Sequence, residues 1–468
     1  MERAVNPHAS PGRFLTYVFM RATGLPPLAE DLSGWSGVFR SAWPLGPAPA
    51  GPFFHAFGRP RGNVDPLWRG EKEMALPTLI AESPKPAGQD PALCAAAPAG
   101  GKTVRVLHLI NGEYYAGAER VQDLLALRLG EHGFEVGFAC VKPAKFAAMR
   151  EARAAPIYDV SMRSKWDLRP AVALAQIIRR EGYSLLHTHT PRTALLGRPT
   201  AFLARVPMVH HMHGQTSTEI NRRFGSRMNA VAERLCLVGA SAVIACSASA
   251  GAYACRQGLP ERLVRVVTNG IAARGPLPER TVPQGEWTLG TVALFRPRKG
   301  LEALLEAVAG LRSQGLAVRL RAVGPFETES YRREVLERAA RLDLQAAVEW
   351  PGFTRDVPAE LARMDLFVFP SLLAEGLPMV LLEAMAAGVP IVASRVDGVT
   401  DVVHDPSVGM LVPPGDSAAL AEAIARFVRG EMDWAAIRSA AHCLQTRQFS
   451  DRSMAAGVAE VYREVLAL

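Results

Sequence analysis

From Val104 onward, short β-rich apolar runs alternate with helical patterns, and this alternation constrains the fold more than any other feature of the chain. VRVLHLI (104–110) reads as a buried parallel strand. A helical pattern follows in RVQDLLALRLGEHG and closes at Gly133; FEVGFACV is the next strand. LRPAVALAQIIRREG, ALLGRPTAFLARV and INRRFGSRMNAVAERLCLVGA read as helices, and YSLLHTHT, PMVHHMHG and SAVIACS as the strands between them. The pattern pauses over 270–287, a stretch rich in Pro, Gly and charge, and this predicts a linker. It restarts at WTLGTVALF and runs through LAVRLRAVG, AAVEWPG, LFVFPS and VPIVAS, with helices between. The expectation is two doubly wound α/β domains, at 103–283 and 284–468, facing each other across a cleft, with the last helix free to pack back on the first.

Residues 1–102 differ in kind. The first hundred residues hold 15 of the 35 prolines and show no sustained period, which predicts a disordered or poorly packed extension. A true tail and a start assigned too far upstream both produce such a stretch. The chain shows no apolar run of the ~18 residues that span a bilayer and no basic-then-apolar leader, so it reads as cytoplasmic. The six cysteines form no C-x-x-C pair, and neither D-x-D nor H-E-x-x-H occurs, so no metal or cofactor is expected. Charge is uneven: Lys and Arg outnumber Asp and Glu by 25 to 13 over 101–283, but trail them by 19 to 24 over 284–468. A basic middle section beside a mildly acidic last one suggests different partners for the two domains.

Within FPSLLAEGLPMVLLEAMAAGVPIVAS (369–394), Glu375 and Glu383 stand in an almost wholly apolar setting. Pro378 suits a first helical position and Gly388 a C′ cap, which predicts a helix over about 378–387. That helix starts beyond the C-terminal end of LFVFPS, where ligands bind in open α/β sheets, and its N-terminus favours an anion such as a diphosphate. Carboxylates there suit sugar or ribose hydroxyls. Ion pairing with a buried Arg, or a simple dipole role, accounts for them equally well.

Glu375-x7-Glu383 and its surroundings resemble the signature of the retaining glycosyltransferases of family 4, also called group 1. GFTRDVPAELARMDLFVFPS resembles the segment running into that signature, and TNGI, with Asn269 and Gly270, the family's stretch near the interdomain linker. YAGAERVQDLLALRL resembles its first loop and helix, with Ala116 before Gly117. HTHTPRTALLGR and VHHMHG resemble the central strands of the first domain. The resemblance covers about 103–468 and implies the GT-B fold, a hexosyltransferase activity with retention, and a UDP-, GDP- or ADP-linked sugar bound by the second domain. It implies that Glu383 holds the ribose and that Glu375 faces the donor sugar beside Gly376 and Leu377. His213 resembles the family histidine that reaches toward the reacting sugar, and Gly352 and Phe353 the stretch that contacts the base; Val323 and Gly324, at the end of LRAVG, suit a place under the nucleotide or ordinary strand-end packing. In FRPRKG, Lys299 matches the family lysine. The family arginine falls at Leu294 here, so its role passes to Arg296, with Arg298 assigned to a solvated turn. Gly117, opening the first helix, suits a close backbone approach to the phosphate or acceptor, or a plain packing role. His187, His189, His210 and His211 read as structural or acceptor-side. No metal is implied, because side-chain cations can hold the diphosphate.

The implied acceptor is a glycan or lipid-linked molecule in cell-envelope or exopolysaccharide synthesis. The basic helix 220–235, with Arg222, Arg223, Arg227, Phe224 and Met228, offers a surface for anionic lipid at the cytoplasmic membrane face or a merely solvated one. Nucleic acid is not expected, since no basic array interleaved with aromatics occurs. A sugar-phosphate synthase, another GT-B enzyme of sugar nucleotides and a non-catalytic sugar-nucleotide binder are the alternatives.

Overall fold

A computed structural model of the chain describes residues 103–164, 167–214, 237 and 239–468. The extension 1–102 and the sequence 220–235, expected as a basic helix, lie outside the described residues. Two parallel sheets form the framework. The first carries β1 (Val104–Ile110), β2 (Phe134–Cys140), β3 (Ile157–Asp159), β4 (Tyr183–Thr188), β5 (Met208–Met212), β6 (Ala242–Ala245) and β7 (Val264–Val266) in the order 3-2-1-4-5-6-7. The second carries β8 (Trp287–Val292), β9 (Val318–Val323), β10 (Val348–Gly352), β11 (Leu366–Phe369), β12 (Ile391–Ser394) and β13 (Gly409–Val412) in the order 10-9-8-11-12-13.

In each sheet the chain winds outward one way and then returns to wind the other way. The order reverses between β1 and β4 in the first sheet and between β8 and β11 in the second. Those two reversal points are where loops diverge and leave a crevice at the strand C-termini. The strands are apolar on both faces because helices cover both, as parallel sheets require; β11 and β12 are buried along their whole length.

Helices begin where the local chemistry starts them. Thr190 caps Pro191–Ala204 by accepting the Thr193 amide, and Asp416, Asp433 and Ser450 cap the last three helices in the same way. Each such cap contributes ~1 kcal/mol. The first helix runs Gly117–Arg128 and tightens into a 3-10 turn that Gly133 closes with φ +86°. The helix after β11 spans Met379–Ala386, and Pro378 sits at its N-cap with ψ 114° instead of at its first helical position. The linker ends one residue earlier than the composition suggests, since Trp287 already opens β8 and packs edge-on to Trp434.

The chain returns to its first lobe at the end. Ile271 pairs with Ser450 at the crossover, and a Cβ on Gly270 would lie 2.0 Å from the Ser450 carbonyl oxygen, so the two segments touch backbone to backbone. The helix Asp451–Leu466 then lies over the first sheet. Arg128 binds Asp451 at 2.6 Å, and Met454, Val458 and Tyr462 join the core beneath it.

Candidate functional site

The site is built from the second sheet's reversal point upward. The loop after β8 turns as Pro297–Lys299 and the loop after β11 carries Ser371 to Pro378. Gly300 holds the two loops against each other; its φ is +68°, and a Cβ would fall 2.0 Å from the Pro370 carbonyl oxygen. Lys299 and Arg298 are thereby carried to Glu375. Lys299 Nζ lies 2.7 Å from Glu375 Oε1, Arg298 approaches both carboxylate oxygens at 3.3 and 3.5 Å, and the Ser371 hydroxyl donates at 2.6 Å. Burial pushes the Glu375 carboxyl up, but Lys299 and Arg298 pull harder, and the net position is below the usual carboxylate range. Burial lowers the Lys299 ammonium while Glu375 opposes it. The group is an ion cluster of two cations and one anion, with one positive charge to spare.

Glu383 faces the other way. It is 7% exposed and pairs with Arg120 Nη1 at 2.6 Å, an arginine on the first-lobe helix Gly117–Arg128. The two glutamates of the signature therefore do not share one partner set: Glu375 is held within the second lobe and Glu383 bridges the lobes.

The first lobe closes over the same loop. A Cβ on Gly376 would sit 1.9 Å from the His213 carbonyl oxygen, so only glycine permits this approach. A Cβ on Gly117 would meet Met379 Cγ at 3.7 Å, which places the starts of helices Gly117–Arg128 and Met379–Ala386 side by side. Leu377 is buried, and its carbonyl accepts from Asn269 Nδ2 at 3.1 Å. Gly324 follows β9 and donates its N–H to the Gly352 carbonyl at 2.8 Å, while Phe353 beyond it is 65% exposed. Lys299, Glu375, Gly376, Leu377, Gly117 and His213 are thus brought to one place.

Arg296 is placed differently from its expected position beside Lys299 at the signature carboxylate. It pairs with Glu327 at 3.5 Å, and Arg298, expected as a solvated turn residue, is the arginine at Glu375. The backbone explains the exchange: Arg296 is the extended N-cap of the 3-10 turn, and the turn itself swings Arg298 and Lys299 onto the same side. Arg120 was not signalled by the sequence, because its partner Glu383 lies on another element; Ser371, four residues before its partner Glu375, carried no periodic signal either.

At the first sheet's reversal point stand histidines. His213 Nε2 is 3.1 Å from His189 Nδ1, His189 Nε2 is 3.1 Å from His108 Nδ1, and His108 Nε2 is 3.0 Å from the Tyr462 hydroxyl. His187 Nδ1 meets the same hydroxyl at 2.5 Å. His210 points to the opposite face and pairs with Thr188 at 2.8 Å. Burial lowers all of these imidazoles, His213 to about 4 and His108 and His210 to about 3, so each is neutral at physiological pH.

Two Rossmann-like lobes, each with a parallel sheet that reverses once, define the GT-B architecture. Comparison with known proteins agrees. The family described as Glycosyltransferase Family 4 matches residues 115–274, and Glycosyl transferases group 1 matches 286–429. The chain belongs to these glycosyltransferases, with one family domain in each lobe. It is 33% identical over 187 residues to the putative colanic acid biosynthesis glycosyltransferase WcaL of Escherichia coli, covering 38% of this chain and 45% of that protein. It is 29% identical over 330 residues to the putative glycosyltransferase EpsF of Bacillus subtilis, covering 66% of this chain and 82% of that one. The chain thus spans under half the length of WcaL. Among solved structures, Anabaena HepE in complex with UDP-glucose superposes with a TM-score of 0.67 at 25% identity, over 77% of this chain and 99% of HepE.

Proposed function

We propose that the protein transfers a hexosyl group from a nucleoside-diphosphate sugar, with retention of configuration, to a glycan or lipid-linked acceptor in envelope or exopolysaccharide synthesis. The observation that carries this reading is the Lys299–Arg298–Glu375 cluster at the second sheet's reversal point. Its surplus positive charge and the neighbouring helix start suit a diphosphate. As the glycosidic bond breaks, negative charge grows on the departing phosphate, and fixed cations stabilise it without reorganising. Glu375, already neutralised, is free to orient the cations and to accept sugar hydroxyl protons. Glu383 takes the ribose once Arg120 yields it. Phe353 offers an exposed ring to the base, and the His213 backbone carbonyl, against Gly376, lies on the sugar side of the cleft. The relatives named above support the acceptor class, and HepE, whose structure contains UDP-glucose, supports a UDP-linked donor.

In this reading the diphosphate needs no metal, because Lys299 and Arg298 carry its charge. The reaction is cytoplasmic. Among the described residues no helix is long and apolar enough to cross a membrane, and the basic sequence 220–235 supports docking on anionic lipid; co-sedimentation with anionic and neutral vesicles tests that part.

The decisive experiment is a thermal-shift screen against UDP-, GDP- and ADP-sugars, followed by turnover with the best donor. A bound donor raises stability by mass action. No shift with any nucleotide sugar refutes the reading. Turnover abolished by excess EDTA and restored by manganese refutes metal-free handling of the diphosphate.

A further inference from the structure

In a strand, alternate residues share a face. The register aligns His108 of β1 with His187 of β4, and His187 with Val209 of β5. Following that alternation, His108, His187, His189, His211 and His213 all fall on one face, the face covered by helix Asp451–Leu466. HTH at 187–189 and HMH at 211–213 are therefore two i, i+2 pairs brought side by side by parallel pairing.

This cluster is more than a set of satisfied core histidines. His211 is 0% exposed and neither of its ring nitrogens has a partner; His187 Nε2 and His213 Nδ1 are buried and unpartnered as well. Each buried polar group left in that state costs about 1–3 kcal/mol. Five neutral imidazoles carry lone pairs here, and the Tyr462 hydroxyl lies against two of them. The ligand atoms of His189, His211 and His213 lie within 4.8 Å of one another. Two imidazole nitrogens on one tetrahedral zinc stand about 3.3 Å apart, from Zn–N distances of ~2.0–2.1 Å. His189 Nδ1 and His213 Nε2 are separated by 3.1 Å.

We propose that His189, His211 and His213 form a binding site for one late first-row dication, of which zinc is the best fit. Imidazole sets of this kind suit zinc, copper and nickel and not magnesium or manganese. The surroundings complete the site. With His189 ligating through Nδ1, its Nε2–H donates to His108 Nδ1, His108 Nε2–H donates to the Tyr462 oxygen, and the Tyr462 hydroxyl donates to His187 Nδ1. Every proton in that chain has one consistent place, and outer hydrogen bonds of this type fix the tautomer and orientation of a ligating histidine. His213 is the partly exposed member, so the ion enters from the cleft side. Three protein ligands leave a fourth position open.

The site is tested without nucleotide, so its outcome is independent of the donor reading. The full chain, freed of any affinity tag, is analysed for metal as purified, then stripped with EDTA, returned to chelator-free buffer and titrated with Zn2+ calorimetrically. The expected result is one equivalent of zinc per chain and a zinc-dependent rise in Tm. His211→Leu is expected to weaken binding more than ~100-fold, beyond the 10–100-fold typical of outer partners. His404→Leu, at an exposed position, leaves it unchanged. Co2+ titration of the native chain serves where His211→Leu does not fold: intense visible bands of a four- or five-coordinate ion support the site. Absence of saturable one-to-one binding, an octahedral cobalt spectrum, or undiminished binding by a folded His211→Leu overturns it.

Discussion

The two sheets have the same winding and reverse at the same place, yet they line their reversal points with opposite chemistry. The second lobe gathers Lys299, Arg298 and Glu375 at 2.7–3.5 Å, an ion cluster beside the cleft. The first lobe gathers neutral imidazoles, buried under a helix that arrives from the far end of the chain. The contrast teaches that topology supplies a crevice and the side chains at the strand ends decide its use. Ions at the second crevice suit a charged, departing phosphate. Neutral lone pairs at the first suit hydrogen bonding or a soft cation.

The largest test of this division is Lys299→Ala. Removing one fixed stabilising group typically costs ~10²–10³ in kcat, so initial rates with the best donor should fall by that factor. His210→Asn, on the opposite face of the first sheet, should stay within about tenfold by the same assay. Rates that survive in Lys299→Ala would erase the distinction between the lobes. Next comes Glu383→Ala. Hydrogen bonds to a charged group are worth ~1.5–3 kcal/mol, so donor affinity should drop roughly 10–100-fold, read as loss of the thermal shift. An intact shift means the ribose is held elsewhere and Glu383 serves only to tie Arg120.

Tyr462→Phe probes the first crevice without touching the second. It strips one hydroxyl from both His108 and His187, and the expected loss is about 1–3 kcal/mol in urea unfolding, with donor Kd unchanged. A neutral result would mean that these histidines find other partners. The smallest expected effect is a pH dependence at Glu375. Its folded value is held below the ordinary 4.5 because Lys299 and Arg298 outweigh burial. Its contribution to stability is therefore fully present above about pH 4.5 and is lost as the pH falls through the lower folded value. The stability gap between wild type and Glu375→Gln should shrink on acidification below 4.5; a gap that widens there contradicts the sign.

Much of the fold from Val104 to Ser394 was legible, because apolar period and cap chemistry are local. Strands 104–110, 134–140 and 366–369 and helices such as Gly117–Arg128, Pro170–Glu181, Pro191–Ala204 and Leu301–Ser313 are read directly from residues in sequence, whereas the short helices Lys145–Met149 and Ala248–Arg256 are not. Short edge strands such as Ile157–Asp159 and Val264–Val266 were not, since three residues carry no period. Helices Ser417–Val428 and Trp434–Gln448 follow the signature without assignment, and the last helix, Asp451–Leu466, is expected there only without bounds, although Asp416, Asp433 and Ser450 are visible caps.

For the site, the sequence by itself determined which residue types are available: two glutamates eight apart, a basic turn before Gly300, and histidines at alternate positions of two strands. Only the tertiary structure decided their partners. Arg298 instead of Arg296 reaches Glu375 because a single 3-10 turn rotates the side chains, and Glu383 meets Arg120 because the lobes close. Strand pairing, not spacing along the chain, sets His108 beside His187 and His189. The physical reason is the same in each case: alternation and capping act over a few residues, whereas the approach of charges and imidazoles depends on register and packing between segments up to 354 residues apart.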